Sequence, residues 1–143
     1  MKWKTKSGRL KNIPGIHTYM VDWTGKQGSQ FSQEVLELME PYWRHDIVFA
    51  ELPVAGPGRM RYDFVNLTKK IILETDGRQH DVFNNHFHQG SRINYQAQIK
   101  RDLDKDYLAE LNGFKMVRIK PDDLPKLRIS VKAWFRATYG IIL

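Results

Sequence analysis

The sequence predicts an α/β fold: a mixed sheet of about four strands flanked by helices, in the order α-β-β-β-α-β-α. Three observations predict it. Three strand-like segments follow one another between residues 46 and 76, the last two joined by a tight polar turn. A long helical period then separates the third segment from one further short apolar strand. A strand, a helix and a returning strand make a right-handed crossover, and a hairpin joined to that crossover gives a mixed sheet.

Each element has its own signal. Residues 1–28 form a basic and aromatic N-terminal arm, with Lys2, Lys4, Lys6, Arg9, Lys11 and Lys26 among Trp3, Tyr19 and Trp23. Such an arm either lies along phosphates with an occasional stacked base, or is a tail whose Trp residues pack on the body. Residues 29–143 form the domain. Ser29 or Ser32 caps the first helix, whose stripe is Phe31, Val35, Leu38 and Met39; Glu34 and Glu37 lie beside it. Pro41 is expected to end that helix or turn it. The segment "DIVFAELPV" reads as a strand broken by Gly56-Pro57-Gly58. "RMRYDFVNL" and "KKIILETD" read as an antiparallel hairpin, followed by an Asn- and His-rich loop over residues 77–90. Ile93, Ile99, Leu103, Tyr107, Leu108 and Leu111 keep a helical period that Asn112-Gly113 terminates. "FKMVRI" is the returning strand, and a last amphipathic helix carries Leu127, Val131, Trp134 and Phe135. There is no internal repeat and no low-complexity tract.

At 143 residues, with a hydrophobic fraction of 41% and an aromatic fraction of 12%, the chain suits one globular domain. No apolar stretch approaches the ~18 residues of a membrane span, and the basic N-terminus is followed by no apolar signal core. The expectation is a cytoplasmic protein with no membrane partner. The absence of cysteine excludes disulfides and thiolate zinc sites. Lys and Arg number 23 against 16 acids, for a net charge of +7 and a pI near 9.7. That balance favours a polyanionic partner, of which nucleic acid is the commonest.

The acids stand out against this background. Asp63 interrupts an ordinary strand after Arg59 and Arg61, and Glu74 and Asp76 share one face of the next strand. Near the open end of the hairpin Asp63 comes opposite Glu74. Two carboxylates that close repel one another unless a cation lies between them. The cation suited to such oxygen donors is Mg²⁺, with Mn²⁺ as a substitute, and it can activate water against a phosphate. The bland reading is a hairpin with salt-bridged ends, its partners being Arg59, Arg61 and Arg78.

The stretches "RYDFVNLTKKIILETDGRQH" and "YQAQIKRDLDKDYLAELNGFKMVRIKPDDL" resemble the PD-(D/E)XK nuclease superfamily. Within it they are similar to the EDxHD branch of very-short-patch mismatch repair endonucleases and phage homing endonucleases. The resemblance covers residues 29–124 or so. It implies a restriction-endonuclease-like core and a metal-dependent DNA endonuclease that hydrolyses phosphodiester bonds. Matched residue by residue, it implies Glu34 as the helix glutamate, Asp63 and Glu74 as Mg²⁺ ligands, and His80 at the scissile phosphate. Asp102 would orient the histidine or the attacking water. The chain departs from the pattern at Asp76, where the superfamily usually has lysine, so that Gln79, His80 or an outlying lysine must stand in; Asp76 is then a further ligand or the neighbour of one. The repair enzymes' zinc site needs cysteines, which favours the homing type, of phage or mobile-element origin. Glu51 competes with Glu34 for the accessory acid, and both stay open.

Double-stranded DNA is the expected partner. Lys2, Lys4, Arg59, Arg61, Arg78, Arg92, Lys100, Arg101 and Lys105 are the candidate backbone contacts, although Lys105 suits a pair with Asp102 or Asp106 equally well. His86 and His88 lack a third metal ligand. A structure-selective junction or nicking nuclease, and a catalytically silent DNA-binding domain, are the alternatives. A chain with one active site nicks as a monomer and needs a homodimer to cut both strands; the sequence leaves both open.

Overall fold

The computed structural model describes residues 1–26, 28–55, 59–77 and 92–143, Arg59 by its backbone alone. The architecture is mixed α/β. A four-stranded sheet, in the order β3-β4-β5-β6, is built from β3 (Val48–Ala55), β4 (Arg59–Asn66), β5 (Ile71–Thr75) and β6 (Lys115–Ile119). The first three strands are antiparallel and β6 runs parallel to β5. Its helices are α1 (Gln30–Trp43), α2 (Arg92–Leu111), α3 (Leu124–Ile129) and α4 (Val131–Tyr139). No helix among the described residues is long and apolar enough to cross a membrane.

The strands bury both faces, as their near-continuous apolar runs require. On one side Val35, Leu36, Met39 and Trp43 of α1 pack with Leu127, Trp134 and Phe135 against Phe64, Leu73 and Val117. On the other, Leu108 and Ala109 of α2 pack with Trp3 and Phe114 against Tyr62, Val65 and Ile72.

Several local expectations differ. Pro41 neither ends nor turns α1, which runs on to Trp43. The proline ring removes a single hydrogen bond one turn from the helix end, and fully buried Met39 and Trp43 hold that turn on the sheet. The last helix is two, divided at Ser130, whose extended backbone lets its hydroxyl accept from Ala133 N–H at 3.1 Å. The N-terminal segment contains a hairpin, β1 (Lys2–Lys4) with β2 (Leu10–Asn12), that inserts Trp3 into the core. Lys2 and Lys4 flank it at the surface. Trp23 packs against the opposite core. Trp3 and Trp23 of the N-terminal arm thus pack on the body, while Lys2, Lys4, Lys6, Arg9 and Lys11 stay exposed. The stripe expected to seat α2 is mostly turned outward: Leu108 is buried, but Ile93, Ile99, Leu103 and Tyr107 are exposed while polar Gln98 is buried.

One irregularity in the sheet sets the position of Asp63. In β3, Val48 and Ala50 face the α1 core while Leu52 and Val54 face the α2 core; in β4, Met60 and Tyr62 face one way and Phe64 the other. Strand alternation would keep each even-numbered set on one face. The sides exchange at one rung, where the pairing passes from Ala50–Phe64 to Leu52–Tyr62 across Glu51 and Asp63. Glu51 makes the exchange by adopting φ of 51°, a left-handed conformation costing a non-glycine residue roughly 1–2 kcal/mol.

Trp3 meets Tyr62 and Phe114 at ring-centroid distances of 5.7 and 6.0 Å. The Trp3→Ala variant is therefore expected to lose about 3–5 kcal/mol of stability in urea unfolding; a loss near that of a surface substitution would place Trp3 outside the core.

Candidate functional site

Asp63 sits at the rung where β4 changes face, so its carboxylate enters neither core. The β4–β5 register, Phe64 with Leu73 and Val65 with Ile72, sets it opposite Glu74. There the ladder opens and side chains complete it. Asp63 N–H donates to Glu74 Oε2 at 2.9 Å, and Thr75 N–H donates to Asp63 Oδ2 at 2.8 Å. The Thr75 hydroxyl also donates to Asp63 Oδ2, at 3.1 Å, and lies 2.6 Å from the Ser32 hydroxyl of α1. The Asp63 carboxyl is thus fixed by Thr75 of β5 with Ser32 of α1 behind it, and the Glu74 carboxyl by the backbone of β4.

The next strand continues the row. Glu74 pairs in register with Arg118 of β6, and alternation turns both side chains toward α2. That helix presents Asp102, Lys105 and Asp106, three and four residues apart and so on one face. Lys105 Nζ reaches Glu74 Oε1 at 2.6 Å. The Lys105 carbonyl accepts from the Tyr62 hydroxyl at 2.8 Å, pinning this turn of α2 to the sheet. Arg118 donates to Asp106 at 2.8 Å and to the Asp102 carbonyl at 3.3 Å.

These groups line a pocket of about 170 Å³ formed by Asp63, Glu74, Thr75, Asp76, Gly77, Asp102, Lys105 and Arg118. Asp76, Asp102 and Arg118 also line an adjoining groove of about 380 Å³ with Tyr95, Ile99, Leu103, Asp106 and Lys120. Four acids meet two bases in the smaller pocket. Glu74 is 4% exposed, and burial, followed by the Asp63 charge, pushes its carboxyl up to about 7 against the opposing pull of Lys105. Burial works against the Arg118 charge, but the hydrogen bond and charge of Asp106 raise its pKa on balance. Burial and the Glu74 charge raise the Tyr62 phenol, keeping it a neutral donor.

The donor set fits a hard divalent cation. Asp63 and Glu74 offer adjacent oxygens whose mutual repulsion a cation would relieve, and the pocket has room for water. Among the described residues no group of three or more acidic, His or Cys ligands is assembled. Mg²⁺ characteristically uses one or two carboxylates and keeps several waters, so two suffice.

Asp63, Glu74 and Asp102 line one pocket, together with Asp76, at which the chain departs from the sequence pattern. Glu34 is elsewhere, paired with Arg128 of α3. Glu51 is the accessory candidate near the pair, sharing a small cleft with Asp63, Ser32 and Gly28. Lys105 is no outward phosphate contact: its side chain is 17% exposed and bound to Glu74. Arg61, Arg92, Lys100 and Arg101 are exposed. Gln79, His80, Arg78, His86 and His88 lie outside the described residues. The place of Arg118 was detectable in sequence as a charge on the helix-covered face of an apolar strand. The reach of Lys105 to Glu74 depends on how the crossover closes.

The raised Glu74 pKa has a consequence for stability. The folded chain retains a proton on Glu74 up to about 7, whereas the unfolded chain releases it near the ordinary glutamate value of 4.5. Between those values the folded state binds more protons, so stability falls as pH rises. In chelator, the wild-type protein is expected to lose roughly 1–3 kcal/mol from this group between about pH 5 and 8. Glu74→Gln should flatten that part of the Tm–pH curve; equal slopes would show that Glu74 does not titrate there. No family model, curated protein or solved structure matches the chain.

Proposed function

We propose that the chain is a divalent-metal-dependent DNA endonuclease of the PD-(D/E)XK kind, of homing type from a phage or mobile element, hydrolysing phosphodiester bonds. The observation that carries this reading is the Asp63–Glu74–Lys105 constellation, with the Lys105 ammonium 2.6 Å from Glu74, in a chain of net charge +7. The sequence pattern lacks a lysine two residues beyond Glu74. Lys105 supplies an ammonium to the same carboxylate from the helix.

Each group then has a chemical task. A Mg²⁺ ion held by Asp63 and Glu74 would supply charge against the phosphate oxygens and favour ionisation of the attacking water. Lys105 orients that water and faces the negative charge that develops on phosphorus-bound oxygen. Arg118, rigidly held by Asp106 and the Asp102 carbonyl, adds a second cation to the pocket wall. Asp76 and Asp102 can accept hydrogen bonds from ordered water. Thr75 and Ser32 act through Asp63 by fixing its carboxylate. The exposed cations Arg61, Arg92, Lys100 and Arg101 supply salt-dependent affinity for the DNA backbone, without sequence choice.

Incubation of purified protein with supercoiled plasmid and Mg²⁺ or Mn²⁺ tests the proposal. The wild type is expected to nick or linearise it. Asp63→Ala should abolish cutting while DNA binding persists, and Lys105→Ala should slow cutting by roughly 10²–10³-fold. Intact plasmid with either ion, under conditions where the protein binds DNA, would instead identify a silent binding domain. Cutting confined to branched substrates would identify a junction enzyme.

A further inference from the structure

Helix α2 lacks the usual means by which a helix is seated on a sheet. Helices in proteins are held mostly by the packing of an apolar face. In α2 only Leu108 and Ala109 are buried apolar residues, and polar Gln98 is buried with them. Lys105, on the same helix, nevertheless has to be placed closely. Its ammonium is 2.6 Å from Glu74 Oε1, and a displacement of about 1 Å takes such a contact out of hydrogen-bond range.

The β1–β2 hairpin supplies what the apolar stripe does not. Lys6 Nζ, in its turn, lies 2.5 Å from Asp104 Oδ1, on the residue next to Lys105, and the Asp104 side chain is 13% exposed. Just past the helix end, Asn112 pairs with Lys4 as a neighbouring strand would. Lys4 N–H donates to Asn112 Oδ1 at 2.7 Å, and Asn112 Nδ2 donates to the Lys4 carbonyl at 3.0 Å. The same Nδ2 donates to the Leu108 carbonyl at 2.8 Å, tying this grip to the last turn of α2. Trp3, next to Lys4, lies against Tyr62, whose hydroxyl donates to the Lys105 carbonyl. The hairpin thus grips α2 on both sides of Lys105, at points about 12 Å apart along the helix.

We propose that the N-terminal hairpin is the positioning element of the acidic pocket, with Lys6 and Asn112 as positioning residues that act through α2 to hold Lys105 on Glu74. Neither residue lines the pocket. Neither is part of the buried core, so the clasp is separable from the packing around Trp3. The placement of Lys105 stands on this geometry alone; its effect on cleavage rests on the nuclease reading.

Amide hydrogen exchange of the full chain, read by NMR without DNA or metal, tests the proposal. The nitrogen-15 signal of the Lys105 ammonium, assigned by its loss in Lys105→Gln, is followed beside it. Asn112→Ala and Lys6→Asp should each speed exchange over residues 104–111 roughly five- to tenfold and weaken the ammonium signal, while the amides of β3, β4 and β5 keep their rates. A hairpin that merely stabilised the fold would speed sheet and helix alike. Adding Asp104→Lys to Lys6→Asp should restore both readouts, and this pair decides the matter if Asn112→Ala fails to fold. In plasmid cleavage Asn112→Ala should lower kcat roughly tenfold with KM unchanged, because small misplacements remote from the chemistry are that costly. Exchange and ammonium signal unchanged in these variants, or exchange raised evenly over sheet and helix, overturns the proposal. Lys6→Asp that weakens DNA binding while α2 exchange stays as in the wild type assigns the hairpin to DNA and overturns it too. The α2 effects in a protein that cuts no DNA support the positioning and remove only the nuclease reading.

Discussion

The carboxyl group of Glu74 is held almost wholly out of water between another acid and an ammonium, and the local structure is arranged around that fact. Desolvation and Asp63 favour its protonated form, while Lys105 at 2.6 Å favours the charged form. The balance sets it near 7, where a small electrostatic change alters its state. A cation held between Asp63 and Glu74 would be such a change and would favour ionised Glu74.

The scaffold makes this arrangement possible by giving up regular sheet at one rung. Asp63 belongs to a strand covered on both faces by apolar packing, where an isolated carboxylate would be costly. The paired exchange of faces at Glu51 and Asp63 turns the carboxylate toward the gap between β4 and β5. There Thr75 N–H and hydroxyl satisfy it. The left-handed backbone of Glu51 is thus local strain beside the Asp63 carboxylate, held by the well-paired strand on either side.

How much could be read from sequence depended on how local each signal was. The β4–β5 hairpin has a short turn, so its register, and with it the meeting of Asp63 and Glu74, comes from counting. The place of Lys105 does not: it lies 31 residues from Glu74, across a crossover whose packing counting does not determine. The period of α2 correctly marked a helix but not its inner face. A helix that lines a polar pocket turns Gln98 and Lys105 inward and leaves Ile99 and Leu103 outside, against the usual rule. The three-residue strands around Trp3 were masked by their lysines, whose side chains stay at the surface while the tryptophan alone turns inward. The break at Ser130 had a signal, a serine directly before a second apolar run, and could have been found from its capping chemistry.

The parallel partnership of β6 with β5 has a bearing on how the protein comes into being. The hairpin acids leave the ribosome long before the returning strand that aligns Arg118 beside Glu74. A nascent chain carries the carboxylates with neither the guanidinium nor the settled helix that encloses them. Long-range closure of this kind is a late and slow event in folding. The acidic cluster therefore becomes an organised chamber only after α2 and β6 have been made, roughly 40 residues beyond the hairpin that carries its first two acids.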